Sequence, residues 1–168
     1  MVSYNPKSLG EALVLLNIHR GATVFAGGTD LMVTQRFQET VVFINGLEEL
    51  KRISREEGCL RLGACLTYAE LIRSDIPGIL REVFSTVASP AVRSRGTIGG
   101  NICNASPAGD TLPMLYALGA YVELARADGL GMAIRRVVPV KEFIRGVRKI
   151  SRRYNELLTA VLIPLENL

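Results

Sequence analysis

Apolar residues along this chain recur with two different spacings, which predicts both helices and strands. At helical spacing they follow two capping boxes, Ser8–Glu11 and Thr67–Glu70, so a helix is expected to begin at each. Gly21 is expected to end the first helix, and the second is expected to reach about Arg73. Further helices are predicted between Pro77-Gly78 and Ser89-Pro90, between Asp110 and Gly119, and over residues 140–148.

Strands are predicted where apolar residues alternate with polar ones or form short uninterrupted runs. The predicted strands are Thr23–Ala26, Val41–Ile44, Cys59–Ala64, Leu157–Ile163 and a hairpin of Tyr121–Arg126 and Met132–Val138 around Asp128-Gly129. Strand and helix alternate in the first part of the chain, which indicates a small α/β lobe. The sequence therefore predicts mixed helix and strand in two lobes, over residues 1–57 and residues 58–168.

The composition is typical of a globular protein and argues against a membrane or disulfide-rich one. Hydrophobic residues make up 48% of the 168 residues, and no apolar run approaches the length of a membrane span. The N-terminus lacks the apolar core of a signal peptide, so the expected location is cytoplasmic. Cys59, Cys65 and Cys103 have no metal-binding spacing and are expected to be reduced thiols, so no metal site is predicted.

The chain offers little acid–base or nucleophilic chemistry of its own. His19 is its only histidine and falls in the last turn of the first predicted helix, where the helix dipole gives it a structural explanation. Without a second histidine, no Ser–His or Cys–His pair is available for a hydrolase. No catalytic side chain is predicted, which is typical of a protein whose bound cofactor carries the reaction.

Positive charge is concentrated towards the end of the sequence. The net charge is +4, and the segment from Arg135 to Arg153 contains eight Lys or Arg residues but one acidic residue, Glu142. Such a segment can be a solvated face, a docking surface for an acidic partner or a nucleic-acid site. Nucleic acid is the least favoured, because no recognised binding motif accompanies the segment. We hypothesise that it docks a partner subunit.

Two widely separated glycine pairs, Gly27-Gly28 and Gly99-Gly100, are the strongest functional signal. Each follows or interrupts an apolar segment, and small polar residues come next, so backbone N–H groups there can converge on a phosphate. Two such loops in one small protein indicate a diphosphate held from two sides, as in a large nucleotide cofactor. Neither a P-loop nor a Gly-x-Gly-x-x-Gly motif is present, which disfavours an ATPase and a Rossmann NAD site.

Polar residues beside the glycine pairs suit such a cofactor. Thr29 and Thr97 can donate hydroxyl hydrogen bonds, Asn101 can donate or accept, and Asp110 can accept bonds from ribose hydroxyls. Each of these residues also has a structural explanation. The glycines can serve tight turns, and Asp110 can be only the N-cap of its helix.

These residues also resemble a known family. Two motifs carry the resemblance: residues 26–31, Ala-Gly-Gly-Thr-Asp-Leu, and residues 93–110, Arg-Ser-Arg-Gly-Thr-Ile-Gly-Gly-Asn-Ile-Cys-Asn-Ala-Ser-Pro-Ala-Gly-Asp. Together they resemble the paired FAD signature of the molybdenum hydroxylases, which include xanthine dehydrogenase and the flavoprotein (medium) subunits of bacterial carbon monoxide dehydrogenase. The resemblance extends from Tyr4-Asn5-Pro6 to Ile163-Pro164.

The resemblance implies an α+β, two-lobed FAD-binding fold of the vanillyl-alcohol-oxidase type. A small α/β lobe and a lobe with an antiparallel sheet and helices would hold extended FAD between them. It assigns Asp110 to the sugar of FAD, Leu158 to an apolar contact near the adenine end or the ring, and Ile98 to the neighbourhood of the isoalloxazine. It assigns the pyrophosphate to the backbone of Val24, Phe25, Ala26, Gly27, Gly28, Thr29, Asp30, Leu31, Thr97, Ile98, Gly99, Gly100 and Asn101.

The resemblance further implies a role in electron transfer. FAD in this family takes electrons relayed from a molybdopterin-binding subunit through [2Fe–2S] centres and passes them to NAD⁺, a quinone or another acceptor. Family members normally continue past the final Ile-Pro into a C-terminal domain that helps cover the flavin, so a chain ending at Leu168 is expected to lack that domain. The alternative is a non-redox scaffold or nucleotide-binding module that retains the fold.

Overall fold

A small parallel sheet begins the fold. The computed structural model describes residues 1–168. Strands β1 (Val2–Tyr4), β2 (Thr23–Phe25) and β3 (Thr40–Phe43) are parallel and pair in the order β1-β3-β2. Helix α1 (Leu9–Ile18) connects β1 to β2, and the short helix α2 (Leu31–Thr34) lies between β2 and β3. Parallel strands connected through helices are what the alternation of strand and helix in the sequence predicts.

An antiparallel sheet forms the larger part of the protein. Its strands, in the spatial order β4-β5-β10-β6-β7, are β4 (Ile53–Glu56), β5 (Cys59–Gly63), β6 (Tyr121–Ala127), β7 (Ala133–Pro139) and β10 (Leu157–Pro164). A separate short hairpin, β8 (Ile144–Gly146) and β9 (Lys149–Ile150), precedes β10. Strands β6 and β7 form the predicted hairpin, whose turn is closed by the Asp128 carboxylate accepting hydrogen bonds from the N–H groups of Leu130 and Met132 at 2.8 Å.

Six helices accompany the larger sheet. They are α3 (Tyr68–Arg73), α4 (Gly78–Thr86), α5 (Pro90–Arg93), α6 (Ile98–Asn104), α7 (Thr111–Ala117) and α8 (Val140–Phe143). Their buried residues, among them Phe84, Ile102 and Phe143, pack with the buried side chains of β5, β6 and β10 in one hydrophobic core. None of the helices is both long and apolar enough to span a membrane.

A second, smaller core joins the two sheets. Helix α1 contributes Leu9, Leu13 and Leu16, which pack with Val42 of the parallel sheet. The same cluster includes Ala125, Ala127 and Leu157 from the antiparallel sheet. The first lobe is therefore fixed to the second by buried apolar contact, which brings the segment that follows β2 and the start of β10 to one side of the molecule.

The predicted α+β architecture is confirmed, and several local predictions need correction. The helix expected over residues 140–148 ends at Phe143, because Gly146 (φ 150°) and Arg148 (φ 57°) turn the chain into the β8–β9 hairpin. Ser89-Pro90, expected to stop a helix, also begins α5, with the Ser89 hydroxyl accepting from the N–H of Val92 at 3.3 Å. Asp110 precedes α7 as predicted, but its carboxylate makes no capping hydrogen bond.

The division into lobes at residues 57 and 58 stays a prediction. Strand β4 lies before that division in the sequence, yet it pairs with β5 in the antiparallel sheet. The sequence pattern did not indicate β4, because its Ser54, Arg55 and Glu56 are polar and the strand lies at the sheet edge.

A buried carboxylate anchors the segment that leads into β10. Glu156 is only 2% exposed, and Arg136 contacts both of its oxygens, with Nε to Oε1 at 2.7 Å and Nη2 to Oε2 at 2.8 Å. The N–H of Arg153 donates to Oε2 at 2.8 Å. Burial opposes ionisation of this carboxyl, but these hydrogen bonds and the positive charges outweigh burial and hold the pKa of Glu156 below its usual value of 4.5.

We expect Glu156→Gln to lower the free energy of unfolding by about 1–3 kcal/mol near neutral pH, since it removes a charged partner from a buried site. Because the folded-state pKa of Glu156 is depressed, its contribution is present above the unfolded pKa of 4.5 and is lost as the pH falls through the folded value. Urea denaturation at several pH values should therefore show that the difference in unfolding free energy between variant and parent shrinks as the pH falls below 4.5. Glu142→Gln is the matched control, because Glu142 is exposed on α8 and makes no ion pair; an equal effect there would contradict the role of burial and pairing at Glu156.

Candidate functional site

A cleft with a volume of about 540 Å³ lies beside the segment that follows β2. Its other walls are the start of α6, the connection from α6 to α7, and the start of β10. All the residues that the sequence resemblance assigned to a cofactor line this cleft except Phe25 and Ile98. Segments far apart in the sequence are therefore brought to one site, as the two-sided prediction requires.

The first glycine pair lies in a loop whose backbone donors are unpaired. Every N–H group from Ala26 to Leu31 lacks a hydrogen-bond acceptor within the chain. Gly28 adopts φ 74°, a left-handed conformation that glycine reaches without steric penalty. Successive N–H groups around such a residue form a concave nest that binds anions. The sequence prediction of free donors at this position is confirmed.

Glycine is required at residue 27 because the loop packs directly on another backbone segment. A Cβ atom at Gly27 would lie 1.9 Å from the carbonyl oxygen of Arg95. At Gly28, a Cβ atom would lie 2.2 Å from the Phe25 ring, which packs on Phe43 with ring centroids 4.8 Å apart. Phe25 therefore supports the loop from behind and is not part of the cleft surface.

The second glycine pair is in a helix, and the expectation of a loop with free donors there is wrong. Gly99 and Gly100 occupy the first turn of α6, where the Thr97 hydroxyl accepts from the N–H of Gly100 at 3.1 Å. The N–H of Ile98 donates to Leu66 and that of Gly99 to Ala64, at 3.0 and 2.9 Å. The N–H of Asn101 donates to the Thr97 carbonyl at 3.0 Å, so all four groups are occupied.

These glycines instead allow close packing at the cleft wall. A Cβ atom at Gly99 would lie 2.7 Å from both Cβ and the carbonyl oxygen of Ala64. The side chain of Ile98 is fully buried in the larger core and does not reach the cleft. The Thr-Ile-Gly-Gly segment therefore packs α6 closely against Ala64, which directly follows β5. A ligand in the cleft would be recognised by the side chains that follow this segment.

Two acceptor side chains in the cleft have no partner in the chain. Asn101 Oδ1 is buried and accepts no hydrogen bond. Asp110 makes no capping bond, so its carboxylate stays available for hydroxyl donors. A buried acceptor without a partner costs free energy, and a ligand donor would remove that cost. Leu157 and Leu158 add a buried apolar surface beside them.

Arg152 is the one cationic side chain that lines the cleft, although it belongs to the basic segment for which a docking role is predicted. Its Nη1 donates to the carbonyl oxygen of Glu156 at 2.5 Å, which holds the guanidinium beside the cleft. A single sequence contains no signal for this placement, because it depends on how the β8–β9 hairpin returns to β10.

Other arginines of the basic segment are engaged within the chain. Arg136 pairs with Glu156. Nε of Arg135 lies 3.6 Å from Oε1 of Glu123, and Nη1 of Arg148 lies 3.1 Å from Oδ2 of Asp30. Exposed basic residues of this segment that make no ion pair are Lys141, Arg145 and Lys149. The proposed docking surface is therefore smaller than the count of basic residues indicates.

Cys103 and Tyr68 also line the cleft, but neither is prepared for proton or nucleophilic chemistry. Burial raises the pKa of the Cys103 thiol to about 11, although the charge of Arg152 opposes the shift. Burial also raises the pKa of Tyr68, whose hydroxyl lies 2.8 Å from that of Thr111. Both groups are therefore neutral near physiological pH, and a neutral thiol is a poor nucleophile.

The donor and acceptor set fits a dinucleotide. A nest of unpaired N–H groups and a cation suit a diphosphate, the unpaired Asn101 and Asp110 acceptors suit hydroxyl and N–H donors, and the leucines suit a planar ring. Comparison with known proteins identifies which dinucleotide. The family model described as "FAD binding domain in molybdopterin dehydrogenase" matches residues 1–166. The chain belongs to this family.

Individual relatives agree with the family match. The chain is 33% identical over 170 residues to the caffeine dehydrogenase subunit beta of Pseudomonas sp. (strain CBB1), covering 95% of this chain and 56% of that protein. It is 34% identical over 168 residues to the carbon monoxide dehydrogenase medium chain of Hydrogenophaga pseudoflava, covering 95% and 57%. Reconstituted CO dehydrogenase from Oligotropha carboxidovorans superposes with a TM-score of 0.88 at 32% identity, covering 98% of this chain and 59% of that one. The chain therefore spans little more than half the length of these relatives.

The family match confirms the sequence resemblance and its cofactor, FAD. The structure also fits FAD independently, through the unpaired donors of residues 26–31 and the orphaned Asn101 oxygen.

We expect Gly27→Ala to reduce the free energy of unfolding by about 2–3 kcal/mol, because the new methyl group meets the immobile backbone of Arg95. Gly46→Ala is the control: nothing lies within 4 Å of its added Cβ atom, and the expected change is within about 0.5 kcal/mol. Chemical denaturation of the cofactor-free chain measures both. Equal stability of the two variants would show that the loop moves away from residue 95 without cost.

Proposed function

We propose that this chain binds FAD in the cleft and acts as the electron-relaying flavin domain of a molybdenum hydroxylase. The observation that carries the proposal is the run of unpaired N–H groups from Ala26 to Leu31 in the cleft wall. Unpaired backbone donors cost free energy unless solvent or a ligand accepts from them. A diphosphate supplies several acceptor oxygens together with the negative charge that such a nest attracts.

Each part of the dinucleotide has a suitable surface. We assign the pyrophosphate to the loop of residues 24–31, with the Thr97 hydroxyl and the side-chain N–H groups of Asn101 as donors opposite and Arg152 as the nearby cation. Asp110 would accept hydrogen bonds from a ribose, and Leu158 would pack on the adenine end or the ring. Phe25 and Ile98 act indirectly, by holding the two walls in place.

The flavin supplies the redox chemistry when it is bound, because the chain's own side chains do not. The cleft residues bind and orient the cofactor, and Cys103 and Tyr68, whose pKa values are raised by burial, stay neutral at neutral pH. The two relatives above are named as a subunit and a chain of larger dehydrogenases. We therefore propose that this chain works with a molybdopterin-binding subunit and a [2Fe–2S] subunit, and passes electrons to an acceptor such as NAD.

Three free cysteines support the proposed cytoplasmic location. An oxidising compartment favours disulfides, whereas Cys59, Cys65 and Cys103 are all unpaired. We further propose that the surface that docks a partner subunit is limited to Lys141, Arg145 and Lys149, the exposed basic residues that make no ion pair.

We expect the purified chain to bind FAD and to bind ADP competitively, while riboflavin binds at least about tenfold more weakly than FAD, equivalent to about 1.4 kcal/mol. The reason is that riboflavin lacks the diphosphate that the nest recognises. Quenching of flavin fluorescence on titration with the chain measures the affinities for FAD and riboflavin, and its reversal by ADP measures the affinity for ADP. A chain that binds none of the three ligands would favour the scaffold alternative, and equal affinity for FAD and riboflavin would contradict the role of the nest.

We expect Asp110→Ala to weaken ADP binding about tenfold, since a hydrogen bond to a charged group contributes about 1.5 kcal/mol or more. With an ADP analogue that lacks both ribose hydroxyls, the variant and the parent should bind equally. Asp75→Ala is the matched control, because Asp75 is exposed and lies outside the cleft. If the loss persists with the analogue, Asp110 does not recognise the ribose.

A further inference from the structure

An arginine from the β8–β9 turn reaches the glycine loop of the first lobe. Nη1 of Arg148 donates to both oxygens of Asp30, at 3.2 Å to Oδ1 and 3.1 Å to Oδ2. It also donates to Oδ1 of Asn104 at the end of α6. Asn104 in turn donates through Nδ2 to Asp30 Oδ1 at 3.2 Å. Three side chains from three separate segments therefore form one closed cluster.

The backbone of the turn is fixed in the same place. The N–H of Arg148 donates to the carbonyl oxygen of Ala105 at 3.0 Å, directly after Asn104. Arg148 itself has φ 57°, a conformation that is unfavourable for a residue with a side chain. The main chain and the side chain of Arg148 thus both hold the turn against the end of α6, and the side chain extends this attachment to the glycine loop.

Charge makes this contact more than a structural tie. Asp30 belongs to the run of residues whose N–H groups are unpaired, so its carboxylate lies within the segment that would receive a diphosphate. Like charges repel, and a carboxylate beside a phosphate lowers the affinity of the site. The side chains of Asp30 and Arg148 are each 40% exposed, so solvent screens their attraction only in part.

We propose that Arg148 is a positioning residue for the cofactor: it neutralises Asp30 and ties the glycine loop to α6, so that the N–H nest is preorganised and electrically compatible with a diphosphate. The inference rests on the proposed FAD-binding function and adds a residue outside both glycine motifs. It also explains why an acidic side chain is tolerated in the loop at all.

The test compares ADP and FAD affinity of the full chain with Arg148→Ala, Arg148→Lys, Asp30→Asn and the Asp30→Asn/Arg148→Ala double variant. Arg145→Ala is the matched control, because Arg145 lies in the same hairpin, is exposed and makes no ion pair. Isothermal titration with ADP and quenching of flavin fluorescence measure the dissociation constants, and far-UV circular dichroism confirms that each variant is folded.

We expect Arg148→Ala to raise the dissociation constant for ADP about tenfold, which corresponds to about 1.4 kcal/mol. Arg148→Lys should lose less, since the lysine keeps the charge but not the planar donor geometry. Asp30→Asn should bind ADP at least as tightly as the parent, because it removes the repelling charge. In the double variant, the same removal should restore most of the affinity that Arg148→Ala loses, whereas Arg145→Ala should change it less than about twofold.

Separate outcomes overturn the inference and the function on which it rests. If the parent chain binds ADP and FAD but Arg148→Ala binds them equally well, the inference is wrong and the proposed function stands. If Asp30→Asn fails to restore binding in the double variant, Arg148 is not compensating the charge of Asp30. If the parent chain itself binds neither ligand, the proposed function fails and the inference falls with it.

Discussion

The contact between Gly27 and the carbonyl group of Arg95 is the constraint on which the site depends. The loop after β2 lies directly on the backbone that leads into α6, so no side chain fits at residue 27. Because the loop is held by main-chain packing, its N–H groups need not be used to stabilise it, and they remain unpaired from Ala26 to Leu31. A loop held by its own hydrogen bonds could not present these donors to a ligand.

The two glycine pairs have different structural roles, although they look alike in sequence. Gly27-Gly28 permits a close backbone approach and a left-handed turn that leaves donors free. Gly99 permits α6 to approach Ala64, and the donors of the first turn of α6 are all occupied. A glycine pair in a single sequence indicates that something lies close to the backbone. Whether the close neighbour is a ligand or another chain segment depends on tertiary packing.

Local signals in the sequence predicted local structure well. The capping box at Thr67–Glu70 is present with both of its hydrogen bonds, and the Asp128-Gly129 turn closes the β6–β7 hairpin as expected. Alternating apolar residues located β5 and β10 to within a residue or two. Predictions failed where the deciding partner is distant in sequence. The helix expected beyond Phe143 is replaced by a hairpin, and the polar edge strand β4 exists only because β5 offers it a partner.

Distant partners also explain why the basic segment has fewer unpaired cations than its sequence indicates. Its arginines were counted as a surface charge, but a buried Glu156 draws Arg136 and Arg153 towards β10, and Asp30 draws Arg148 towards the glycine loop. Burying a carboxylate is costly unless it is paired and hydrogen-bonded, so the buried Glu156 fixes the arginines around it. The contacts of Arg148 hold the β8–β9 hairpin over the end of α6, and the hydrogen bond from Arg152 to the Glu156 carbonyl oxygen holds Arg152 at the cleft wall. The basic segment therefore contributes Arg152 to the cleft wall, and Lys141, Arg145 and Lys149 remain as its exposed basic residues without an ion pair.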